Sequence, residues 1–219
     1  MYKVRTYNQI SSKGLDRFSR ESYEIASEFA QPDAFMLRSH KLHGEEIPDS
    51  LVAIARAGAG VNNIPVADYS AQGVVVFNTP GANANAVKEL VAASLLLGSR
   101  DIIGGINYAQ SLTDMSDAGE MSKLLEKEKK RFAGSELQGK TLGVVGLGAI
   151  GANVANMALE LGMDVIGFDP AISVEAAWRL SSEIGKMDNL QSLLAGADYV
   201  TLHVPAIEAT RHMINAEAL

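Results

Sequence analysis

A glycine-rich turn between an apolar strand and a helix constrains this 219-residue chain more than any other feature. Residues 142–151 read as a strand that breaks at Gly146 into the spacing Gly-x-Gly-x-x-Gly, and a helical pattern follows over about 149–161. The spacing alone is weak, but a preceding strand and a following helix are the context that a dinucleotide-binding turn requires. A second apolar run, 165–168, leads into Asp169, 18 positions after Gly151. The pattern therefore predicts a doubly wound domain that holds a dinucleotide.

Each residue of the turn has its own role in such a site. Gly146 permits the tight turn, Gly148 lets backbone approach a pyrophosphate, and Gly151 lets the helix pack closely on the strand. The free amides and the positive dipole end at the N-terminus of the helix would face the phosphates.

The acidic residue after the second strand indicates which dinucleotide is bound. Asp169 can accept both ribose hydroxyls of the adenosine half, and its charge would repel a 2′-phosphate. No arginine or lysine follows it before Arg179. We therefore expect NAD rather than NADP. The alternative to a dinucleotide site of either kind is a glycine-rich turn in some other parallel sheet.

Composition excludes several other classes of protein. The chain is 47% hydrophobic and 21% charged with a net charge of −7, so no basic surface is available for nucleic acid. It has no cysteine, which suits a reducing compartment. It also has no apolar N-terminal stretch and no apolar run of about 20 residues, so we expect a cytoplasmic protein without a membrane partner.

Short β-rich runs alternate with helical patterns, which is typical of an α/β fold. In the first part, candidate strands lie at 3–6, 23–26, 34–37, 52–56 and 74–77, and candidate helices at 14–20 and 66–72. These runs predict a five-stranded parallel unit of about 80 residues.

The remaining patterns predict a second unit with fewer strands than its fold requires. An Ala- and Leu-rich helix over 85–103 is expected to be buried on both faces and to cross between domains, and the charged helix of 111–131 to be solvated. Three strands are clear: the strand before the glycine-rich turn, 165–168 and 198–204. Helices are predicted near 190–195 and from 208. We place a first domain at 1–97, with its crossing helix to about 104. A dinucleotide domain follows at 98–219, truncated after its third clear strand, so about half of the usual six-stranded sheet is missing.

Several stretches resemble the D-2-hydroxyacid dehydrogenase family over nearly the whole chain. Residues 56–63 (Arg-Ala-Gly-Ala-Gly-Val-Asn-Asn) and 75–83 (Val-Val-Phe-Asn-Thr-Pro-Gly-Ala-Asn) look like its substrate-domain signature. The glycine-rich turn and the strand ending at 203–205 (His-Val-Pro) resemble its cofactor domain. Arg38-Ser39 and the segment 132–141 resemble the branch that oxidises 3-phosphoglycerate. The resemblance implies a flavodoxin-like substrate domain followed by a Rossmann NAD domain, and a homodimer paired through the latter.

The resemblance also implies a reaction and a substrate site. NAD would oxidise the phosphorylated hydroxy acid 3-phosphoglycerate to 3-phosphohydroxypyruvate, the first committed step of serine biosynthesis. Arg38 and Ser39 would hold the substrate phosphate, because a guanidinium and a hydroxyl both donate to it. The backbone of Gly58, Ala59 and Gly60 would meet the substrate carboxylate.

The resemblance implies cofactor-binding residues within the 219 residues and catalytic residues beyond them. By the resemblance, Ala149 and Ile150 would offer their backbone to the pyrophosphate, and Val204 and Pro205 would border the cofactor crevice. The family's catalytic Arg, Glu and His come from segments beyond the last strand, so no catalytic residue is assigned here. We expect the 219 residues alone to be inactive and the full-length protein active. Asn62 replaces a common Asp, and Ala149 replaces a common Arg, which removes one side-chain phosphate contact.

Two other functions stay open: a non-catalytic, corepressor-like NAD-binding protein, and a dehydrogenase of another D-2-hydroxy acid. A phosphate site at Arg38 and Ser39 would favour oxidation of 3-phosphoglycerate over both of these functions.

Three further patterns are given structural interpretations. Residues 134–141 match the phosphate-binding loop of nucleotide hydrolases letter for letter, but a strand follows where a helix is required. His40 and His43 lack an evident third ligand, so no metal site is predicted. His203 lies on an apolar strand and is interpreted as part of the crevice wall.

Overall fold

The computed structural model describes residues 1–218, and the chain divides into two compact units, Met1–Asn83 and Ala84–Leu219. Both are α/β units whose strands are all parallel, as predicted. The predicted boundary lay between residues 97 and 98, whereas the division places the whole helix at that position in the second unit.

The first unit is a five-stranded sheet in the order β2-β1-β3-β4-β5, the flavodoxin-like order that was predicted. Its elements are β1 (Tyr2–Thr6), α1 (Ser12–Leu15), β2 (Tyr23–Ala26), β3 (Ala34–Leu37), β4 (Ala53–Arg56), α2 (Val66–Ala71) and β5 (Val75–Asn78). Every predicted strand is present to within one residue. The predicted helix at 14–20 is wrong, since α1 is a single turn with no buried residue to stabilise a longer helix.

The core of this unit lies around its central strands. Phe35, Leu37 and Ile54 from β3 and β4 are almost fully buried, together with Tyr69 from α2. Because all five strands run in the same direction, the loops that follow β1, β3, β4 and β5 lie along one edge of the sheet.

The second unit is a four-stranded sheet in the order β8-β7-β6-β9. Its helices are α3 (Ala84–Ser99), α4 (Ile102–Ser111), α5 (Ala118–Glu128), α6 (Ala149–Glu160), α7 (Val174–Ala177) and α8 (Leu190–Gly196). Its strands are β6 (Thr141–Val145), β7 (Asp164–Phe168), β8 (Gly185–Lys186) and β9 (Tyr199–Leu202), and short 3-10 turns cover Lys129–Phe132 and Glu208–Thr210. The strand order matches the first four positions of the doubly wound order 3-2-1-4-5-6.

Two expectations for the second unit are corrected by these elements. The sheet has four strands rather than three, because the two residues of β8 pair in parallel with β7. The segment from residue 208 forms a 3-10 turn and further turns rather than a helix.

The long helix predicted over 85–103 is two helices, and it is not buried on both faces. The helix α3 ends at Ser99, and the Asp101 side chain accepts from the Gly104 amide at 2.9 Å to cap α4. Leu95 joins the core beside α6, while Leu90 is 67% exposed. Only one face of α3 is therefore buried in the described chain.

Candidate functional site

The glycine-rich turn connects β6 to α6, and its three glycines meet different surroundings. Gly146 has a φ of +88°, and a Cβ there would lie 2.8 Å from the carbonyl of His203. A Cβ on Gly151 would lie 1.8 Å from the Gly146 oxygen, so only glycine allows the helix to approach the strand. A Cβ on Gly148 would meet nothing within 4 Å. Gly146 and Gly151 therefore serve the fold, and Gly148 borders open space.

The N-terminus of α6 faces that open space with unpaired donors. Among residues 1–218, no group accepts from the amides of Ala149, Ile150 or Gly151. The helix buries small side chains against the sheet, including Ala152 and Ala155, so its axis can lie close to β6. Free amides at the positive end of a helix form a binding site for a pyrophosphate. The residues present thus fit the diphosphate of a dinucleotide.

The Asp169 carboxylate is held directly beside the turn. Its Oδ2 atom accepts from the Leu147 amide at 2.8 Å, and its Oδ1 atom accepts from the Ala171 amide at 2.9 Å. Each carboxylate oxygen can accept a second hydrogen bond, so capacity for two ribose hydroxyls remains. The two backbone contacts fix the orientation of Asp169 relative to the glycine-rich turn.

The segment that follows β9, residues 203–205, lies beside the glycine-rich turn. The His203 amide donates to the Val145 oxygen at 2.7 Å, and Nε2 of His203 lies 2.9 Å from the Thr201 hydroxyl. Burial lowers the pKa of His203. Val204 contacts the turn, since its Cγ1 atom would lie 2.9 Å from a Cβ on Gly146, and Pro205 is exposed beyond it. His203 thus has structural partners, and Val204 is placed beside the predicted cofactor turn.

In the first unit, Arg38 and Ser39 directly follow β3, and both are exposed. The Asn8 side chain accepts from the Ser39 amide at 3.0 Å, and the buried Asn63 side chain donates to the Arg38 oxygen at 3.4 Å. The Ala57 amide donates to the Leu37 oxygen at 2.8 Å, which brings the segment after β4 alongside Arg38. The sequence interpretation missed both asparagines; the position of Asn8, two residues after the end of β1, was an available signal.

The loop over residues 58–60 is held by the last residue of β5 and by the residue that follows it. The Gly58 amide donates to the Thr79 hydroxyl at 2.7 Å, and the Asn78 side chain donates to the Ala59 oxygen at 2.7 Å. The amides of Ala59 and Gly60 have no acceptor within residues 1–218. Of the three predicted carboxylate donors, Gly58 is therefore already engaged, and the other two can bind an anion. Neither Asn78 nor Thr79 was predicted as a site residue.

The histidine pair near Arg38 does not converge on one point. His40 Nε2 lies 2.6 Å from Oε1 of Glu45, while His43 Nε2 lies 3.0 Å from the Asn62 oxygen. Tyr7 stacks on His40 with ring centroids 4.2 Å apart, and burial with the Glu45 charge raises the pKa of Tyr7 to about 12. Within residues 1–218, no group of three or more His, Asp or Glu side chains could hold a metal ion.

Residues 134–141 follow the 3-10 turn and end at Thr141, the first residue of β6, so they lead into a strand rather than a helix. No helix over the described residues is long and apolar enough to cross a membrane.

Comparisons with known proteins place this geometry in a family. Residues 106–219 match the model of the D-isomer specific 2-hydroxyacid dehydrogenase NAD-binding domain. A hydroxypyruvate reductase of Thermotoga maritima is 35% identical over all of this chain, which covers 70% of that protein. A D-3-phosphoglycerate dehydrogenase of Synechocystis is 38% identical over all of this chain, which covers only 39% of that protein.

Among solved structures, NAD-bound 3-phosphoglycerate dehydrogenase of Entamoeba histolytica has the same fold. It aligns with a TM-score of 0.73 at 23% identity, over 100% of this chain and 67% of its own. The glycine-rich turn, the α6 amides and Asp169 are the parts of the second unit that fit NAD, the cofactor of this domain. The chain belongs to the D-isomer specific 2-hydroxyacid dehydrogenase family, with its second unit as the NAD-binding domain.

Proposed function

We propose that the whole protein oxidises 3-phosphoglycerate to 3-phosphohydroxypyruvate with NAD, at the start of serine biosynthesis. The observation that carries this proposal is one sheet edge in the first unit with two sets of anion donors. Arg38 and Ser39 follow β3. The amides of Ala59 and Gly60, which have no acceptor in the described part of the chain, follow the neighbouring strand β4. A substrate with a phosphate at one end and a carboxylate at the other requires two such sets.

The chain's own residues bind and orient the two reactants in this proposal. When bound, NAD supplies the nicotinamide ring that takes the hydride from the substrate carbon. Arg38 and Ser39 hold the phosphate, and the amides of Ala59 and Gly60 orient the carboxylate. Orientation of this kind converts an encounter of two molecules into a reaction within one complex, which accounts for a large part of the rate of an enzyme.

The groups that move the hydroxyl proton are proposed to lie outside the 219 residues. The family resemblance implies an Arg, a Glu and a His beyond Leu219, and the chain covers 35% and 39% of the lengths of two D-3-phosphoglycerate dehydrogenases that it matches. Removal of a general base alone typically costs about 10²–10⁴-fold in rate. The 219-residue chain is therefore proposed to bind NAD without turning over substrate.

Hydroxypyruvate is the second candidate substrate, and one relative favours it. The Thermotoga maritima protein of which this chain covers 70% is a hydroxypyruvate reductase. Hydroxypyruvate has a carboxylate but no phosphate, so Arg38 would have no phosphate to bind.

The two substrates are distinguished by replacing Arg38 in the protein encoded by the complete open reading frame. We expect Arg38→Ala to raise the KM for 3-phosphohydroxypyruvate about 10- to 100-fold, because a charge-assisted hydrogen bond is lost, and to leave the KM for hydroxypyruvate unchanged. Arg38→Lys should recover part of the loss, since the charge remains without the planar fork. The matched control is Arg17→Ala, at another exposed arginine of the same unit. An unchanged KM for the phosphorylated substrate in Arg38→Ala would contradict the proposal.

We also propose that the protein pairs as a homodimer through its second unit. The helix α4 supports this, because Ile102, Ile103 and Ile106 on it are 39%, 56% and 48% exposed in the single chain. An apolar surface of this kind is typical of a protein interface.

A further inference from the structure

Two asparagine side chains make hydrogen bonds to the backbone of residues 38–40. Oδ1 of Asn8 accepts from the amides of Ser39 and His40, at 3.0 and 2.8 Å. Nδ2 of Asn63 donates to the oxygens of His40 and Arg38, at 2.6 and 3.4 Å. The Asn8 side chain therefore accepts from two backbone amides of this segment, and the Asn63 side chain donates to two of its carbonyl oxygens. We call this arrangement the asparagine clamp.

The clamp is built from residues under unusual constraint. Asn8 has a φ of +64°, a backbone conformation that is uncommon outside glycine and that asparagine tolerates best. Asn63 is only 7% exposed, and its Oδ1 atom has no partner within residues 1–218. A strained residue and a buried polar residue thus converge on the same three-residue segment. Such constraints persist where the surrounding structure determines one conformation, as it does at binding sites.

The clamp decides which groups at residues 38–40 remain available to an anion. Because the Ser39 and His40 amides already donate to Asn8, neither of them is free to donate to a phosphate, and the exposed side chains of Arg38 and Ser39 are the groups that can bind it. The third residue of the segment is fixed as well, since His40 pairs with Glu45 at 2.6 Å and stacks on Tyr7. The backbone that carries Arg38 and Ser39 is therefore immobilised while their side chains stay exposed.

We propose that Asn8 and Asn63 are positioning residues that preorganise Arg38 and Ser39 for the substrate phosphate. They thereby determine the preference for a phosphorylated over an unphosphorylated substrate. This inference rests on the proposed function, since it requires the phosphate to bind at Arg38. Preorganisation acts through the entropy of the site: a segment that is already ordered loses less freedom when the ligand binds.

The test replaces the exposed member of the clamp in the whole protein. Asn8→Gly removes the acceptor while glycine accepts the positive φ without strain, so the fold is expected to survive. We expect the KM for 3-phosphohydroxypyruvate to rise about 10-fold, with kcat within about 2-fold and the KM for hydroxypyruvate unchanged. The control is Asn215→Gly, because Oδ1 of Asn215 also accepts from two backbone amides, those of Glu217 and Ala218, and is not part of the clamp. The control should leave all three constants unchanged.

A second measurement follows the clamp without substrate turnover. Hydrogen–deuterium exchange of a peptide that covers Ser39 and His40 should be about 10-fold faster or more in Asn8→Gly than in the wild type, because both amides lose their acceptor. Unchanged exchange would show that the clamp does not order the segment, and would overturn the inference.

The kinetic outcomes separate this inference from the proposed function. If Arg38→Ala raises the KM for the phosphorylated substrate and Asn8→Gly does not, the proposed function stands and the clamp is not a positioning device. Equal rises for both substrates in Asn8→Gly would indicate general damage to the unit and would also overturn it. If Arg38→Ala itself leaves that KM unchanged, both proposals fail together.

Discussion

At the scale of single residues, two glycines of one turn separate cofactor binding from folding. A Cβ on Gly148 would meet open space, and its φ of −66° is one that any residue adopts, whereas a Cβ on Gly151 would lie 1.8 Å from a backbone oxygen. We therefore expect Gly148→Val to lower the free energy of unfolding by less than about 1 kcal/mol. The same variant should raise the Kd for NADH at least about 10-fold, because its side chain fills the space that the pyrophosphate needs.

Gly151→Ala is the matched variant three positions later. We expect it to lower the free energy of unfolding by about 1–3 kcal/mol, since the helix must move away from the strand. For both variants, urea unfolding measures the free energy of unfolding, and calorimetric titration measures the Kd for NADH. Wild-type affinity in a folded Gly148→Val protein would show that this backbone does not meet the cofactor.

At the scale of secondary structure elements, the sequence predicted those with a strong local signal. The five strands of the first unit are apolar runs bounded by polar loops, and all five are present. The strand β8 was missed because it is only two residues, Gly185 and Lys186, neither of which carries a hydrophobic pattern. The break between α3 and α4 was missed although Asp101, a helix-capping residue, precedes the second helix.

The asparagine clamp could not be predicted by any local signal. Asn8 and Asn63 reach residues 38–40 from 31 and 25 positions away, and only the pairing of β3 with β1 and β4 brings them there. The glycine-rich turn was predictable because strand, turn and helix are consecutive in sequence. A site formed by consecutive elements can thus be predicted from the sequence, whereas contacts that depend on the order of strands in the sheet cannot.

The exposed face of α4 leads to a prediction about assembly. If this face pairs two copies of the chain, Ile106→Asp buries a charge in the interface and should convert a dimer to a monomer. The control is Val174→Asp on α7, where an apolar residue is 69% exposed and the same charge should leave the dimer intact. Sedimentation velocity measures both variants, and circular dichroism checks that they are folded. A wild-type chain that sediments as a monomer at micromolar concentration would contradict the proposed pairing.

At the scale of the whole molecule, cofactor binding and turnover are expected to be separable. The second unit contains the glycine-rich turn, Asp169 and the α6 amides, which have no acceptor among residues 1–218, so the 219-residue chain should bind NADH by itself. At a ligand concentration of 100 times Kd, this binding would stabilise the unit by about 2.7 kcal/mol, which is measured as a higher melting temperature.

The same chain should form no NADH from NAD and 3-phosphoglycerate, because the base and the substrate-orienting Arg are proposed to lie beyond Leu219. The protein from the complete open reading frame, assayed in parallel, is the positive control and should form NADH under the same conditions. NADH production by the 219 residues would place a working base within them, and His203 could then be tested first, since burial already lowers its pKa and favours the neutral imidazole that accepts a proton. A stabilised chain without turnover would instead locate cofactor binding within these two units and the proton chemistry outside them.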